Sequence, residues 1–343
     1  MLQPCLLCET VQLVATDTVL VLNSAADPFV AVAQQQLRKG MVLLAEDNIT
    51  TLNAYKQTTN VHHAAFHDYI LHSSAPSVDV VIMNLLYQPS KAWVLYGLQV
   101  ATHALKNGGK LYVTGAKDRG ILSIGKHMQE QFGNVETLLI SKGHRVLRSV
   151  GTDVSRPLFV SDALGGRDTS VPTVFADSKL DEGTRLLLEA MEVRVTDEAL
   201  DIGCGAGFVG LHIAQRASEG HVTMVDASLA AVTASQKAVA ESGLSNVRVL
   251  PSDGVQAVQT QRFDLVATNP PFHQGGLQTT AIAEGFIRGA AQVLRLQGRF
   301  YLVANRFLKY EPTLKANFKQ VEEVGGNTRF KVLCAWEPGV QPL

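Results

Sequence analysis

The sequence predicts two tandem α/β domains, each a mostly parallel sheet flanked by helices, with the second domain a copy of the first. Short Val/Ile/Leu-rich runs of strand length alternate with longer segments of helical spacing, the same order of runs occurs twice, and a stretch rich in Gly, Pro, Ser, Thr and Asp separates the two series. Alternating strands and helices bury both faces of a parallel sheet, which is why the strand runs are apolar throughout and not alternately polar.

The repeat is weak in identity but collinear. Val19 to Ala31, VLVLNSAADPFVA, lies over Ala199 to Gly210, ALDIGCGAGFVG, with Phe29 and Val30 on Phe208 and Val209. LLAEDN (43–48), set one residue along on TMVDAS (223–228) so that the two aspartates coincide, places Asp47 on Asp226; VDVVIMNLLYQ (78–88) lies over FDLVATNPPFH (263–273), placing Asn84 on Asn269. LKNGGKLYVTGAKDR (105–119) then matches LRLQGRFYLVANRFL (294–308). The expected divisions are a first domain over 1–151, a linker over 152–176 and a second domain over 177–343. At the glycine positions of the second copy the first carries Ser24, Ala26 and Pro28, and NLLY replaces NPPF, so the first copy reads as degenerate.

Length and composition allow two cores: 343 residues, of which 46% are hydrophobic. No apolar run reaches membrane-spanning length and MLQPCLLCET lacks the marks of a secretory leader, so a soluble cytoplasmic protein is expected, with two packed domains pointing to a monomer. A net charge of −1 excludes nucleic-acid binding by bulk charge. Local contact stays open, because residues 106–148 and 295–331 each hold eight basic against three acidic residues. Lys106, Lys110, Arg119, Lys142, Arg145 and Arg148 are the candidates, against the plainer reading of a solvated face. Cys5 and Cys8 form one CxxC without the second pair a zinc site needs, so ordinary thiols and no metal are expected.

The chemistry-bearing segments lie in the second half. EALDIGCGAGFVGLHIA (198–214) reads as a buried strand, a tight glycine turn at Gly203, Gly205 and Gly207, and a helix whose N-terminal amides face the turn. Cys204 is the small side chain such a turn tolerates, and Gly205, Gly207 and Gly210 also satisfy a dinucleotide spacing. Asp226 ends the next strand, where a carboxylate either accepts ribose hydroxyls or caps the following helix. Asp253 ends a third run, where it reads an adenine amino group or forms a turn. FDLVATNPPFHQGG (263–276) ends its strand in Asn269-Pro270-Pro271-Phe272. Two prolines fix the adjoining carbonyls, so the Asn269 side-chain oxygen and the Pro270 carbonyl can accept both hydrogens of a flat NH2 group while Phe272 stacks on its ring. Lys179 and Asp181 either touch the ligand or cap a helix; His212 and His273 are weaker candidates.

DIGCGAG with Asp201, Asp226, Asp253 and NPPF resembles the motif set of class I S-adenosylmethionine-dependent methyltransferases that modify amines. The upstream FADSKLDEGTRLLLEAM (175–191) is similar to the segment preceding the glycine motif in guanine-N2 ribosomal RNA methyltransferases, and with its degenerate duplicate the whole chain resembles that family. The resemblance implies two Rossmann-like class I methyltransferase domains and methylation of guanine N2 in 16S ribosomal RNA, free or in the small ribosomal subunit. It implies S-adenosylmethionine held by Asp201, Gly203, Cys204, Gly205, Gly207, Asp226, Asp253 and Asn269, and catalysis by Asn269, Pro270, Pro271 and Phe272. The first domain is then expected to lack a cofactor site and to bind RNA or shield the second core. Adenine N6 or a protein glutamine amide offers the same flat NH2, so the residues alone leave the acceptor open.

Overall fold

The computed structural model describes residues 5–55, 58–74, 76–152, 180–271, 273–274, 277–278 and 280–339. The chain divides into two compact units, Met1–Pro172 and Thr173–Leu343. From residue 153 onward, the expected linker lies outside the described residues.

The first unit holds β1 (Thr18–Leu22), β2 (Met41–Glu46), β3 (Val61–Ala65), β4 (Val78–Asn84), β5 (Leu105–Ala116), β6 (Glu136–Ser141) and β7 (His144–Val150), in the order β3-β2-β1-β4-β5-β7-β6. The second holds β8 (Ala199–Ile202), β9 (Val222–Asp226), β10 (Val247–Pro251), β11 (Phe263–Thr268), a two-residue antiparallel pair β12 (His273–Gln274) and β13 (Leu277–Gln278), then β14 (Leu294–Asn305), β15 (Phe318–Gly326) and β16 (Phe330–Pro338). Its large sheet runs β10-β9-β8-β11-β14-β16-β15, the order of the first sheet strand for strand. In each, one strand near the edge, β7 or β16, is antiparallel to both neighbours.

Alternation along the second unit's strands explains its two cores. Leu200, Ile202, Val266, Phe300 and Leu302 pack on one face, and Ala199, Leu265, Ala267, Tyr301 and Val303 on the other. Successive strand residues point to opposite faces, so a strand with both faces covered must be apolar at every position. Each fully buried large aliphatic or aromatic side chain contributes roughly 1.5–3 kcal/mol of transfer free energy. The helix Leu229–Ser242 starts where the Ser228 hydroxyl accepts the Ala231 amide and stops at Gly243, whose φ of 71° suits a left-handed cap.

The hydrogen bonds correct the pairing of the two copies by one residue at the first turn. Asn23 N donates to the Ala45 carbonyl at 2.7 Å as Gly203 N donates to Val225 at 2.8 Å, and Ala25 N donates to Glu46 at 3.0 Å as Gly205 N donates to Asp226 at 2.9 Å. Glu46, not Asp47, therefore occupies the place of Asp226, and Asn23, Ala25 and Asp27 occupy those of the glycines. A shared Phe-Val dipeptide set the sequence pairing, whereas the strand ladder fixes the structural one. Asn84 does fall on Asn269, since Leu22 pairs with Met83 while Asp201 pairs with Ala267 one step earlier in the second sheet. The thiol expectation for Cys5 and Cys8 is also corrected: they form a disulfide, brought together by the short helix Leu6–Thr10 that starts between them.

Candidate active site

The sheet order reverses between β8 and β11: from β8 the chain winds outward to β9 and β10, and from β11 to β14 on the other side. The loops beyond the carboxyl ends of two such strands are the place where open α/β sheets bind ligands. Thr268 ties them together, its buried hydroxyl donating to the Ile202 carbonyl at 2.7 Å, so the glycine turn and Asn269 start from one fixed point.

In the turn, Gly203, Gly205 and Gly207 all lie in the left-handed region, at φ 73°, 55° and 90°. Their surroundings differ. A Cβ at Gly207 would come within 3.0 Å of Met224 and 3.2 Å of the Ser235 hydroxyl, and one at Gly203 within 3.2 Å of the Phe286 ring. At Gly205 it would meet nothing within 4 Å, so this is where the backbone faces open space. The Gly205 amide donates to Asp226 Oδ2, and its carbonyl accepts the Ser235 hydroxyl at 2.9 Å. Asp201, 1% exposed, accepts the Gly210 amide at 2.8 Å and so fastens strand β8 to the helix Phe208–Arg216. Burial pushes its carboxyl up to about 7, with the Gly210 N–H opposing and nearby Asp226 adding to the rise.

Asp226 accepts the Ser228 amide on Oδ1 at 2.9 Å as well, so the carboxylate is set by two backbone donors. Its backbone carbonyl accepts Ser252 N, which places Asp253 beside it at the end of β10. Phe286, on the helix Ala281–Val293, bridges the two turns: its half-buried ring lies against the Cβ positions of both Gly203 and Gly254. Sequence reasoning missed Phe286, Ser235 and Thr184, each of which acts across dozens of residues; an aromatic among the small residues of AIAEGFIRGAA was the one available signal.

Asn269 follows β11 half-buried, with Pro270 buried behind it. Its Nδ2 donates to Thr184 Oγ1 at 2.8 Å and lies 3.3 and 3.4 Å from the Asp181 carboxylate oxygens. Asp181 caps the helix Glu182–Ala190 by accepting Thr184 N at 2.9 Å, one of the two roles the sequence offered for it. Phe272 and Lys179 lie outside the described residues. Burial, followed by Asp201 and Asp226, pushes the Cys204 thiol well above its ordinary range, which suits a packing group and not a nucleophile. His212 is pushed down to about 4 by burial and by Arg216, its contact one turn along the same helix, so it is a neutral imidazole apart from the Asn269 cluster.

The equivalent place in the first unit is filled by its own side chains. Glu46, 4% exposed, accepts the amides of Ala25, Asp47 and Asn48. Asp27 accepts the Asn84 side-chain amide at 2.7 Å, and Gln88 Nε2 lies 3.1 to 3.3 Å from the carbonyls of Leu22, Asn23 and Asn84 and the Ser24 hydroxyl. The six basic candidates of this unit separate into two groups. Lys106, Lys110 and Arg148 belong to the first part of β5 and its partner, whereas Arg119, Lys142 and Arg145 lie toward its far end; by strand rise Arg145 is about 10 Å from Arg148 and the far end of β5 is roughly 30 Å from Lys106. Lys106 is paired with Asp79 at 2.8 Å and Arg148 with Glu136 at 2.5 Å; Lys110, Arg148 and Tyr112 line a cavity of about 260 Å³. Among the described residues no cluster of three metal-ligating side chains occurs, and no helix is long and apolar enough to cross a membrane.

A sheet of this order is the class I S-adenosylmethionine-dependent methyltransferase fold, present here twice in tandem, and the second copy carries the glycine turn and the Asn-Pro-Pro exit at its reversal point. Residues 168–334 match the model of the methyltransferase small domain, and residues 6–138 that of its N-terminal companion domain. The ribosomal RNA small subunit methyltransferase C of Pseudoalteromonas atlantica is 31% identical over 302 residues, 84% of each chain, and that of Shewanella loihica is 30% identical over 338 residues, covering 94% of this chain and 95% of the relative. Among solved structures, the T. thermophilus 16S rRNA N2 G1207 methyltransferase in complex with AdoMet and guanosine superimposes with a TM-score of 0.83 at 29% identity, covering 98% of this chain and 92% of that one. The chain belongs to the ribosomal RNA small subunit methyltransferase C family.

Proposed function

We propose that this protein methylates the exocyclic N2 amine of a guanine in 16S ribosomal RNA, using S-adenosylmethionine held in its second unit. The observation that carries this reading is the placement of Asn269 and the glycine turn on two adjacent strand ends joined by the Thr268 to Ile202 bond. The residues fit the cofactor: the open face of Gly205 admits close approach, Asp226 and Asp253 stand at neighbouring strand ends for the ribose and the adenine amine, and the Phe286 ring lies between the two turns. Bound there, S-adenosylmethionine supplies an electrophilic methyl group on a sulfonium. Asp201 and Cys204 shape the turn from within.

Asn269 Oδ1 and the Pro270 carbonyl accept the two N–H hydrogens of the guanine amine, and Phe272 stacks on the base. Held this way, the nitrogen lone pair leaves conjugation and points at the methyl carbon, so positioning supplies most of the acceleration and no strong base is required. The filled turn of the first unit supports its reading as a retired copy without a cofactor site, serving RNA contact or shielding of the second core. Lys106, Lys110, Arg119, Lys142, Arg145 and Arg148, on β5, β7 and the turns beside them, are the candidates for RNA contact. The enzyme acts as a cytoplasmic monomer.

Digestion of 16S ribosomal RNA from cells with and without the gene, with nucleosides compared by mass, tests the substrate. Loss of one N2-methylguanosine is expected. Unchanged methylguanosine, with loss of methyladenosine or of a methylated protein glutamine instead, refutes the guanine assignment.

A further inference from the structure

Asn269 reaches across 85 residues of sequence to the start of the helix Glu182–Ala190, and the hydrogen-bond directions there are determined. The Thr184 hydroxyl donates to Asp181 Oδ2 at 2.5 Å, so its one hydrogen is committed and its lone pairs face Asn269. Asp181 Oδ1 meanwhile accepts the Thr184 amide at 2.9 Å as the helix cap. A carboxylate and a hydroxyl that has already donated can only accept, so the side of Asn269 turned toward them must be its NH2, at 2.8 Å from Thr184 Oγ1. The reversed amide would set its oxygen against three acceptor oxygens.

We propose that Asp181 and Thr184 are positioning residues that orient the Asn269 amide, holding its Oδ1 toward the acceptor amine and raising its strength as a hydrogen-bond acceptor. The inference rests on the reading of Asn269 given above. Donation from the Asn269 NH2 into a chain that ends on a carboxylate polarises the amide and adds electron density to Oδ1, as hydrogen bonds in series reinforce one another. During methyl transfer the N–CH3 bond forms as the S–CH3 bond breaks, the sulfur keeps the bonding pair, and the amine nitrogen becomes positive until it releases a proton to water. Its N–H groups are then stronger donors than in the ground state. An acceptor preset to meet them stabilises the transition state more than the bound substrate, which places the effect in kcat and not in cofactor binding.

Neither residue needs to touch substrate for this role. Its closest analogy is the outer partner that orients a metal ligand, whose loss costs roughly 10- to 100-fold in activity.

The test uses the full-length chain with 16S ribosomal RNA and separates kcat from KM. Thr184→Val keeps the shape of Thr184 but removes the hydroxyl; a kcat about 10-fold or more lower is expected, with the S-adenosylmethionine dissociation constant and circular dichroism unchanged. Thr184→Ser restores the hydroxyl and should recover kcat to within about 3-fold, while Asp181→Asn, which retains a capping oxygen, should lower kcat as Thr184→Val does. In an Asn269→Ala background, Thr184→Val should cost nothing further. Wild-type kcat in Thr184→Val, failure of serine to rescue, or an undiminished loss in the Asn269→Ala background overturns the positioning role. If Asn269→Ala itself retains wild-type turnover, the reading of Asn269 fails instead, and the two failures are distinct.

Discussion

Asp226 Oδ2 accepts the amide hydrogen of Gly205 at 2.9 Å, from the end of the neighbouring parallel strand. The bond holds the turn with its open side outward, and that openness separates the roles of nearby glycines. Alanine at Gly205 adds a methyl group where nothing lies within 4 Å; it carries the cost of a left-handed φ, about 1–2 kcal/mol, and intrudes on ligand space. Alanine at Gly210 would drive a Cβ to 2.5 Å from Met224 Cγ. Gly205→Ala should therefore weaken S-adenosylmethionine binding at least 10-fold with only a small fall in Tm, whereas Gly210→Ala should lower Tm more than it lowers affinity. Calorimetry and thermal melting on both variants check this, and equal effects on both readouts would refute it.

Asn269→Ala removes one of the two acceptors proposed for the amine. By analogy with loss of a preorganised hydrogen-bonding group, kcat should fall roughly 100- to 1,000-fold, about 2.7–4 kcal/mol of transition-state stabilisation. Cofactor affinity should fall far less than kcat, because Asn269 is one of several residues expected to hold the cofactor and the Asp226 to Gly205 bond does not depend on it. Single-turnover methylation of 16S ribosomal RNA, with the cofactor dissociation constant measured alongside, decides it; near-normal turnover would remove Asn269 from the site.

Much of this was legible in the sequence, for reasons of spacing. Strand-length apolar runs ending near Gly203, Asp226, Asp253 and Asn269 put these residues at neighbouring strand ends, because parallel strands deliver their C-terminal ends to one edge of the sheet. The helix after β9 was legible from apolar residues at helical spacing, but the cap the sequence offered was Asp226, whereas Ser228 is the residue that caps it. What stayed hidden acts at a distance or depends on register. Thr184 meets Asn269 only because one helix starts beside the exit of β11, and Phe286 reaches two turns from a third element. Glu46 was passed over for Asp47 because a one-residue slip leaves the local composition nearly unchanged while moving every side chain to the opposite face.

The raised carboxyls give a pH dependence with a defined sign. Burial lifts Asp201 from 3.8 and Glu46 from 4.5 to about 7 each, so between about pH 4 and 7 the folded protein binds more protons than the unfolded chain. The stability these two groups contribute is fully present below about pH 4 and is lost as pH rises through about 7. His212, lowered from 6.5 to about 4, works oppositely, losing its contribution as pH falls through that window. Asp201→Asn can still accept the Gly210 amide but cannot ionise. Its stability relative to wild type should therefore improve between pH 4.5 and pH 8; urea denaturation at both values measures it, and parallel pH profiles would refute the assignment.

Gln88 is the test of whether the first unit has lost its site or merely hidden it. The side chain is 5% exposed, and its Nε2 sits among four acceptors at the exits of β1 and β4, the place that in the second unit opens between the glycine turn and Asn269. Gln88→Ala withdraws that donor from buried oxygens and should cost about 1–3 kcal/mol, the usual penalty for leaving such groups unsatisfied. It should not create a second cofactor site, because the Glu46 carboxylate remains committed to three backbone amides and Asp27 to the Asn84 amide. Titration calorimetry should give a single S-adenosylmethionine per chain in wild type and variant alike, with equal affinity and a lower Tm for the variant. A second binding event in the variant alone would mean that the first unit is a working site blocked by one glutamine, and one in the wild type as well would mean that the site was never lost.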